Sequence, residues 1–413
     1  MKRLPRRAIA LAVTALAASG AYAQTQGEDN VLREASARRE GISFHKPGLD
    51  LSLYGLLDLT FVSQSNANAN GDRLSNFTTP WFSGSRWGII GSRNLPDGAP
   101  SLIFKLEGEF VVATGKFDTD NTIFNRDAWV GFYGDNFGKL TFGRQNTLPR
   151  DFAGNWGDPY TSDGQVNYEE RGWTNTNNFK QLIYYAASPT STRWDRGVVY
   201  KKQFGQFMAG AGHQFQSPGT GNDPVAGEND RNSSNALGLA WNGGMVNVSG
   251  FYNQSDVSST ATTAPKLKHK SYALGGDVGI GPMVRVYGGW FHYTAEQPAA
   301  VGERKDNAWT LSGRFAPTAK YDFELGYAHF KADNAGVNAS GFILNPYANT
   351  NGVTRGVTGT KGTVYASAFY HFDRSTEVYV VADRMKTKDG WADPRSFGKP
   401  DQNEFGVGIR TRF

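Results

Sequence analysis

From Leu49 to the last residue, apolar and polar side chains alternate in one segment after another. In the final eleven residues, NEFGVGIRTRF, Phe405, Val407, Ile409 and Phe413 fall on one parity. Glu404, Gly406, Gly408, Arg410 and Arg412 fall on the other. A period of two is the signature of a strand with one apolar and one polar face. LDLSLYGLLDLTF sets Leu49, Leu51, Leu53, Leu57, Leu59 and Phe61 against Asp50, Ser52, Asp58 and Thr60. SLIFKLEGEFVVA sets Leu102, Phe104, Leu106 and Phe110 against Lys105, Glu107 and Glu109. KYDFELGYAHFKA and DNAWTLSGRF behave alike, and the pattern is legible in sixteen segments. Residues 179–188, FKQLIYYAAS, are a candidate seventeenth, placed here inside a loop.

The connections distinguish a soluble sandwich from a barrel in a membrane, because their lengths alternate. RNLPDGAP, GDNF, QFGQ, NGG, IGP, APTA and DRS are tight turns of Gly, Pro, Asn and Asp. Between them lie long polar stretches such as QSPGTGNDPVAGENDRNSS and Asn146 to Thr192. Short turns at one end, long loops at the other and an even strand count are what an outer-membrane barrel requires. Lipid offers no hydrogen-bond partner, so every strand must pair on both edges and the sheet must close. A closed sheet of sixteen strands surrounds a space too wide for side chains to fill, so water occupies it. Arg410 and Arg412 facing lipid near midplane would each cost about 2–4 kcal/mol, so they face inward and the apolar parity meets lipid.

The amino terminus fits that destination. MKRLPRR is basic, Ala8 to Ala18 is apolar, and Ala21-Tyr22-Ala23 is a small-x-small cleavage site before Gln24. This reads as a secretory signal peptide over residues 1–23. The apolar run is short against the roughly 20 residues a transmembrane helix needs. Removing the leader takes away Lys2, Arg3, Arg6 and Arg7 and no acid, leaving 39 basic and 38 acidic residues. Most of the chain's basic excess is therefore leader, which argues against a nucleic-acid partner. Cysteine is absent, excluding disulfides and thiolate metal sites. The remaining 390 residues show no linker or composition break, and glycine is enriched at 50 residues of 413. A mean hydropathy of −0.49 excludes a helical membrane protein. Residues 24–48 form a polar lead-in, including EDNVLREASARREG, with Glu34 and Arg38 at helix-pairing spacing. Its simplest reading is a disordered segment; a periplasmic helix, a lumen plug and a subunit contact are the alternatives.

SRWGIIGSRNLPDGAPSLIFKLEGEF followed by FNRDAWVGFYGDNFGKLTFGRQ resembles the strand 2 to strand 5 region of the general Gram-negative porins. The terminal aromatic strand is similar to their assembly signal, and the likeness extends from Leu49 to Phe413. The resemblance implies an all-β, 16-stranded antiparallel transmembrane β-barrel with short periplasmic turns and long external loops. It further implies a homotrimer in the outer membrane, passing small hydrophilic solutes and ions by diffusion, with no cofactor and no covalent chemistry. In that family the last Phe, here Phe413, is read by the barrel-assembly machinery.

The same resemblance makes residues 146–192 a constriction loop folded into the pore, whose acids face basic residues on the opposite wall. The loop offers Asp151, Asp158, Asp163, Glu169 and Glu170, with Asp158 and Asp163 foremost. Arg86 in SRWG and Arg126 in FNRDAW match family positions for the basic side. Parity independently turns both inward, since Trp87, Ile89, Trp129 and Tyr133 take the lipid side. Lys201 is a further rung; in the family an arginine is frequent near there. Arg144 shares the parity of Leu140 and Phe142 and so belongs outside, at the implied trimer contact, where Asp118 or Asp120 is its expected partner. For each charge alone, simple solvation of the wall or rim is the competing reading.

Enzyme readings find little support. His45, His213, His269, His292, His329 and His371 are scattered, with no two at metal-ligand spacing. No G-x-S-x-G elbow opens a helix, and GGDVGIG lies on a strand and its turn. A barrel hydrolase lacks a visible catalytic constellation. A stronger rival is a channel selective for sugars, aromatics or organic acids, with Trp156, Tyr160, Tyr168 and Trp173 as a stacking path or as loop packing. A purely structural or adhesive barrel is the third class.

Overall fold

The computed structural model describes residues 41–78, 81–153, 188–190, 192–216, 226–259, 263–373 and 375–413. The leader and residues 24–40 lie outside them. So do residues 154–187, and with them most of the seventeenth candidate segment. In chain order the strands are β1 (Ile42–Lys46), β2 (Leu49–Gln64), β3 (Leu74–Thr78), β4 (Arg86–Arg93), β5 (Ser101–Val111), β6 (Lys116–Phe117), β7 (Asp127–Gly134) and β8 (Gly138–Asn146). A helix α1 (Leu148–Phe152) follows. Then come β9 (Arg193–Phe204), β10 (Phe207–Gln214), β11 (Ser234–Asn242), β12 (Val246–Val257), β13 (Leu267–Ile280) and β14 (Val284–Ala295). β15 (Arg304–Thr318), β16 (Tyr321–Gly336), β17 (Gly356–His371), β18 (Thr376–Asp389) and β19 (Asp401–Arg412) complete the chain.

Sixteen of these strands form one closed antiparallel barrel. β2, β4, β5 and β7 through β19 pair each with the next, and β19 pairs back onto β2 from Glu404↔Gln64 to Arg412↔Leu56. All sixteen correspond to segments chosen by their alternation. β1, β3 and β6 are additions. β1 and β4 take opposite edges of the lower half of β2, and β3 pairs with its upper half. Residues Ile42–Lys46 of the expected lead-in are therefore a strand, continuing along β2 where β19 stops.

Parity and burial agree around most of the wall; β7 is the exception, where Trp129 and Tyr133, expected on the lipid side, share the inward parity of Asp127. Asp322 and Glu324 are buried while Tyr321, Phe323 and Leu325 are exposed, and Arg410 is buried after exposed Val407 and Ile409. The exposed apolar residues face lipid, and no helix among the described residues is long and apolar enough to cross a membrane. At the seam Phe413 exchanges backbone hydrogen bonds with Gly55, at 2.8 and 3.1 Å. Its ring occupies the space a Cβ at Gly55 would need, so only glycine seats it.

Candidate constriction of the lumen

After β8 the chain turns into the barrel. Thr147 caps α1 by accepting from the Arg150 N–H, and Pro149 suits the first turn, which lacks partners for its amides. All five residues of α1 are buried. Leu148 and Phe152, four apart, share one helix face. They pack on the inner wall against Gly210 of β10, where an added Cβ would lie 2.8 Å from the Phe152 ring and 3.0 Å from Leu148. At Gly238 of β11 an added Cβ would overlap that ring. Ser249 of β12 donates to the Phe152 carbonyl at 2.5 Å. On the other side Asp151 is ion-paired with Lys201 of β9, both nearly buried. Two residues expected to face one another across the pore thus neutralise each other directly.

Arg86 and Arg126 are both buried, Arg86 on the parity that Trp87 and Ile89 imply. For Arg126 the expected reason fails: Trp129 is itself buried, opposite Lys105 and 4.6 Å from the Lys139 ammonium, so β7 turns its odd residues inward. Arg126 is buried because it lies just before the strand and reaches Glu107 and Glu109. Neither stands alone. Arg126 donates to Glu107 and Glu109 of β5. Arg86 donates to the Gly84 carbonyl at 2.9 Å and lies 3.9 Å from Glu107. The Tyr54 hydroxyl donates to Glu107 at 2.7 Å, and Lys105 bridges Glu107 and Asp127 at 3.5 and 3.3 Å. Arg193 donates to the Arg126 carbonyl at 2.8 Å. Taking this wall from β4 to β9 with α1, the described inward bases are Arg86, Lys105, Arg126, Lys139, Arg150, Arg193 and Lys201. The acids are Glu107, Glu109, Asp127 and Asp151.

The facing wall, β15 to β19 with β2, has the reverse balance. Its inward acids are Asp58, Asp306, Asp322, Glu324, Glu377, Asp383 and Glu404, against Arg304, Arg314, Lys361, Arg410 and Arg412. Pairing is dense here too. Glu377 accepts from Arg410 and, at 2.9 Å, from His371, while Arg314 grips Asp322.

Three further segments bend into the lumen, and alternation gives no signal for them because they lie outside the barrel strands. Before β4, Phe82 sits 4.7 Å from Tyr379 and 5.0 Å from Phe369, with the Arg410 guanidinium 5.4 Å over its ring. Between β16 and β17, the Tyr347 hydroxyl bonds Asn253 at 2.8 Å and Ser271 at 3.0 Å. The Tyr347 amide donates to the Tyr293 hydroxyl at 2.9 Å. After β18, Trp391 packs near Phe330 and Lys361.

Arg144 does not reach Asp118 or Asp120 within the chain. Its guanidinium pairs with Asp195 of β9 and donates to the Asn125 carbonyl at 2.8 Å. A bulge between Gly143 and Gln145 shifts the β8–β9 register and brings Asp195 alongside. Asp118 instead accepts from Asn125 at 3.1 Å, and burial and Glu109 together push its carboxyl above the usual range. Asp120 is exposed. Asp158, Asp163, Glu169 and Glu170 lie outside the described residues, as do Trp156, Tyr160, Tyr168 and Trp173. No group of three metal-ligating side chains occurs among the described residues.

Comparison with known proteins places this geometry in context. A family model described as Gram-negative porin matches residues 10–390. An outer membrane porin protein of Bordetella pertussis is 28% identical over 351 residues, covering 80% of this chain and 82% of that protein. Among solved structures, the anion-selective porin from Comamonas acidovorans is similar with a TM-score of 0.67 at 19% identity, over 88% of this chain and all of that one. The trimer form of OmpT, an outer membrane protein of Vibrio cholerae, gives 0.58 at 16% identity, over 89% and 100%.

Proposed function

The chain belongs to the Gram-negative porin family, and from that premise we propose that its channel favours anions and works as one of three in a homotrimer. The protein is an outer-membrane porin, a water-filled barrel for passive diffusion of small hydrophilic solutes. Solutes cross without covalent chemistry, so the wall's charge and the width left by the inward segments set what passes. The ion preference rests on one observation. Around α1 the described inward bases outnumber the acids seven to four. A water-excluding wall focuses the field of that surplus on the passing ion. The opposite surplus on the facing wall sets up a transverse field, which orients dipolar solutes. Arg86 and Arg126 are the basic rungs in this reading, and Lys201 acts mainly by anchoring α1 through Asp151.

The trimer reading is supported by the family and by the solved trimer form among the similar structures. Arg144 and Asp195 lie at the outer face of the implied contact.

The test is the reversal potential across a bilayer in a potassium chloride gradient. Arg86→Ala and Arg126→Ala together are expected to lower the chloride-to-potassium permeability ratio several-fold, because Glu109 loses Arg126 and Glu107 keeps only Lys105 of its three bases. A reversal potential that stays where it was would remove both arginines from this role.

A further inference from the structure

The lipid-facing side of β13 to β18 changes character along its length. On β16 the outward residues run Tyr321, Phe323, Leu325, Tyr327, His329, Lys331, and on β18 they run Val378, Val380, Ala382, Arg384, Lys386, Lys388. Both series go from apolar to basic toward the long loops. Trp290 and Trp309 lie side by side in the register, each flanking an outward histidine in a stacked arrangement. Aromatic residues of this kind mark the level where hydrocarbon gives way to headgroups. Lys331 is ten residues beyond Tyr321, a rise of about 34 Å along a strand tilted by about 40°, or about 26 Å of height. That matches an apolar band about 25 Å tall. Lys331 and Lys388 therefore stand at the headgroups of the leaflet on the long-loop side.

Register gathers these groups. Lys331 and Lys388 flank Thr360 of β17, and one step below, His329 and Lys386 flank Gly362. Strands spaced by about 4.8 Å put the two flanking columns about 10 Å apart. The Tyr327 phenol covers the floor between them and sets its hydroxyl there. Gly362 has no side chain, and a Cβ there would meet the Tyr327 hydroxyl at 2.6 Å. No ion pair engages Lys331, Lys386 or Lys388 among the described residues. The acids on this side engage other groups or lie past the two columns. Glu303 pairs with Lys305 at 3.0 Å, Asp333 accepts from Thr358 at 2.7 Å, Asp401 lies 4.0 Å from Arg384, and Asp389 ends the strand. Lysines at headgroup depth that engage no acid attract anionic headgroups, by about 1 kcal/mol each.

We propose that the notch formed by Lys331, Lys386, Lys388 and His329 over Thr360 and Gly362 binds the phosphate-bearing headgroup of an outer-leaflet lipid. The acyl chains of that lipid then lie along the apolar wall below, over Leu325 and Val364, which are both exposed. The proposal rests on the long loops facing outward and is independent of which ions the channel prefers.

The experiment is native mass spectrometry of the purified, folded protein in detergent, titrated with a diphosphorylated glycolipid. The variant carrying Lys331→Gln, Lys386→Gln and Lys388→Gln is expected to bind roughly a hundredfold more weakly, about fivefold per lysine. Lys388→Gln alone should lose about fivefold, which covers the case of a misfolded triple variant. Lys268→Gln with Lys270→Gln, three strands or more away on the same rim, should bind as the unmodified protein does. The dephosphorylated glycolipid should not bind at the notch. Equal affinity of the triple variant, or binding of the dephosphorylated lipid with the same lysine dependence, overturns the proposal. Inorganic phosphate binding alone with that dependence would make the notch a free-phosphate site and overturn the lipid assignment.

Discussion

Gly238→Val is expected to raise single-channel conductance by about a factor of two, because current through a wet constriction scales with its open section. The argument is steric. The inner wall at Gly238 is bare, and the Phe152 ring lies where a side chain would stand. The backbone at Gly238 is ordinary strand, paired on both edges, so a β-branched residue is accepted there. What gives way is α1, held by two apolar side chains, the Ser249 hydrogen bond and the Lys201–Asp151 pair. Phe152→Ala removes the anchor without crowding and should move conductance the same way. If both variants conduct as the unmodified channel does, α1 lies outside the current's path.

Glu377→Ala is expected to cost about 1.5–3 kcal/mol of barrel stability, the usual consequence of removing a charge-assisted hydrogen bond to a buried ion, because Arg410 keeps Asp58 opposite it. Glu377 faces Arg410 across the β18–β19 register, one strand from the closing seam. Both are almost fully buried, and His371 and Arg412 add to the same carboxylate. Removing the carboxylate leaves Arg410 facing the buried Asp58 across the β19–β2 register, with Ser83 at 3.4 Å and the Phe82 ring beside it. The measurement is the temperature at which the detergent-solubilised barrel loses its compact form on a gel. Replacing both members, Glu377→Met with Arg410→Met, should restore little of the loss, since Asp58 then loses the guanidinium opposite it. A single variant as stable as the parent would mean that lumen water solvates Arg410.

The sixteen barrel strands were legible because lipid on one side and water on the other impose a period of two on every one of them. β1 was not, although ISFHK also alternates, because both its faces are exposed and it is paired along one edge only. Nothing then forces amphipathicity on it. Parity also gave the side on which Arg86 and Arg410 lie, but not their partners; it misplaced Trp129, since Trp129 and Val130 are both apolar and the strand turns the larger one inward against Lys105 and Lys139. Partners follow from register, which brings Glu107 opposite Asp127, next to Arg126, and Glu377 opposite Arg410. A chain read one strand at a time carries no register. Lys201 and Asp151 were placed apart because the turn of α1 against the wall, which brings them together, has no periodic signal. The bulge at Gly143 hid the Arg144–Asp195 pair, since one extra residue shifts every later neighbour. Phe82 and Tyr347 sit in irregular segments, where position is set by contacts distant in sequence and no periodic signal exists.

The central claim is that the sheet closes on itself around water. Planar-bilayer recording of the purified protein across a range of salt concentrations tests it most directly. A hydrated bore gives discrete steps, grouped in threes for the trimer, whose size grows in proportion to salt. A bilayer that stays silent, or a conductance that saturates at low salt, would contradict it.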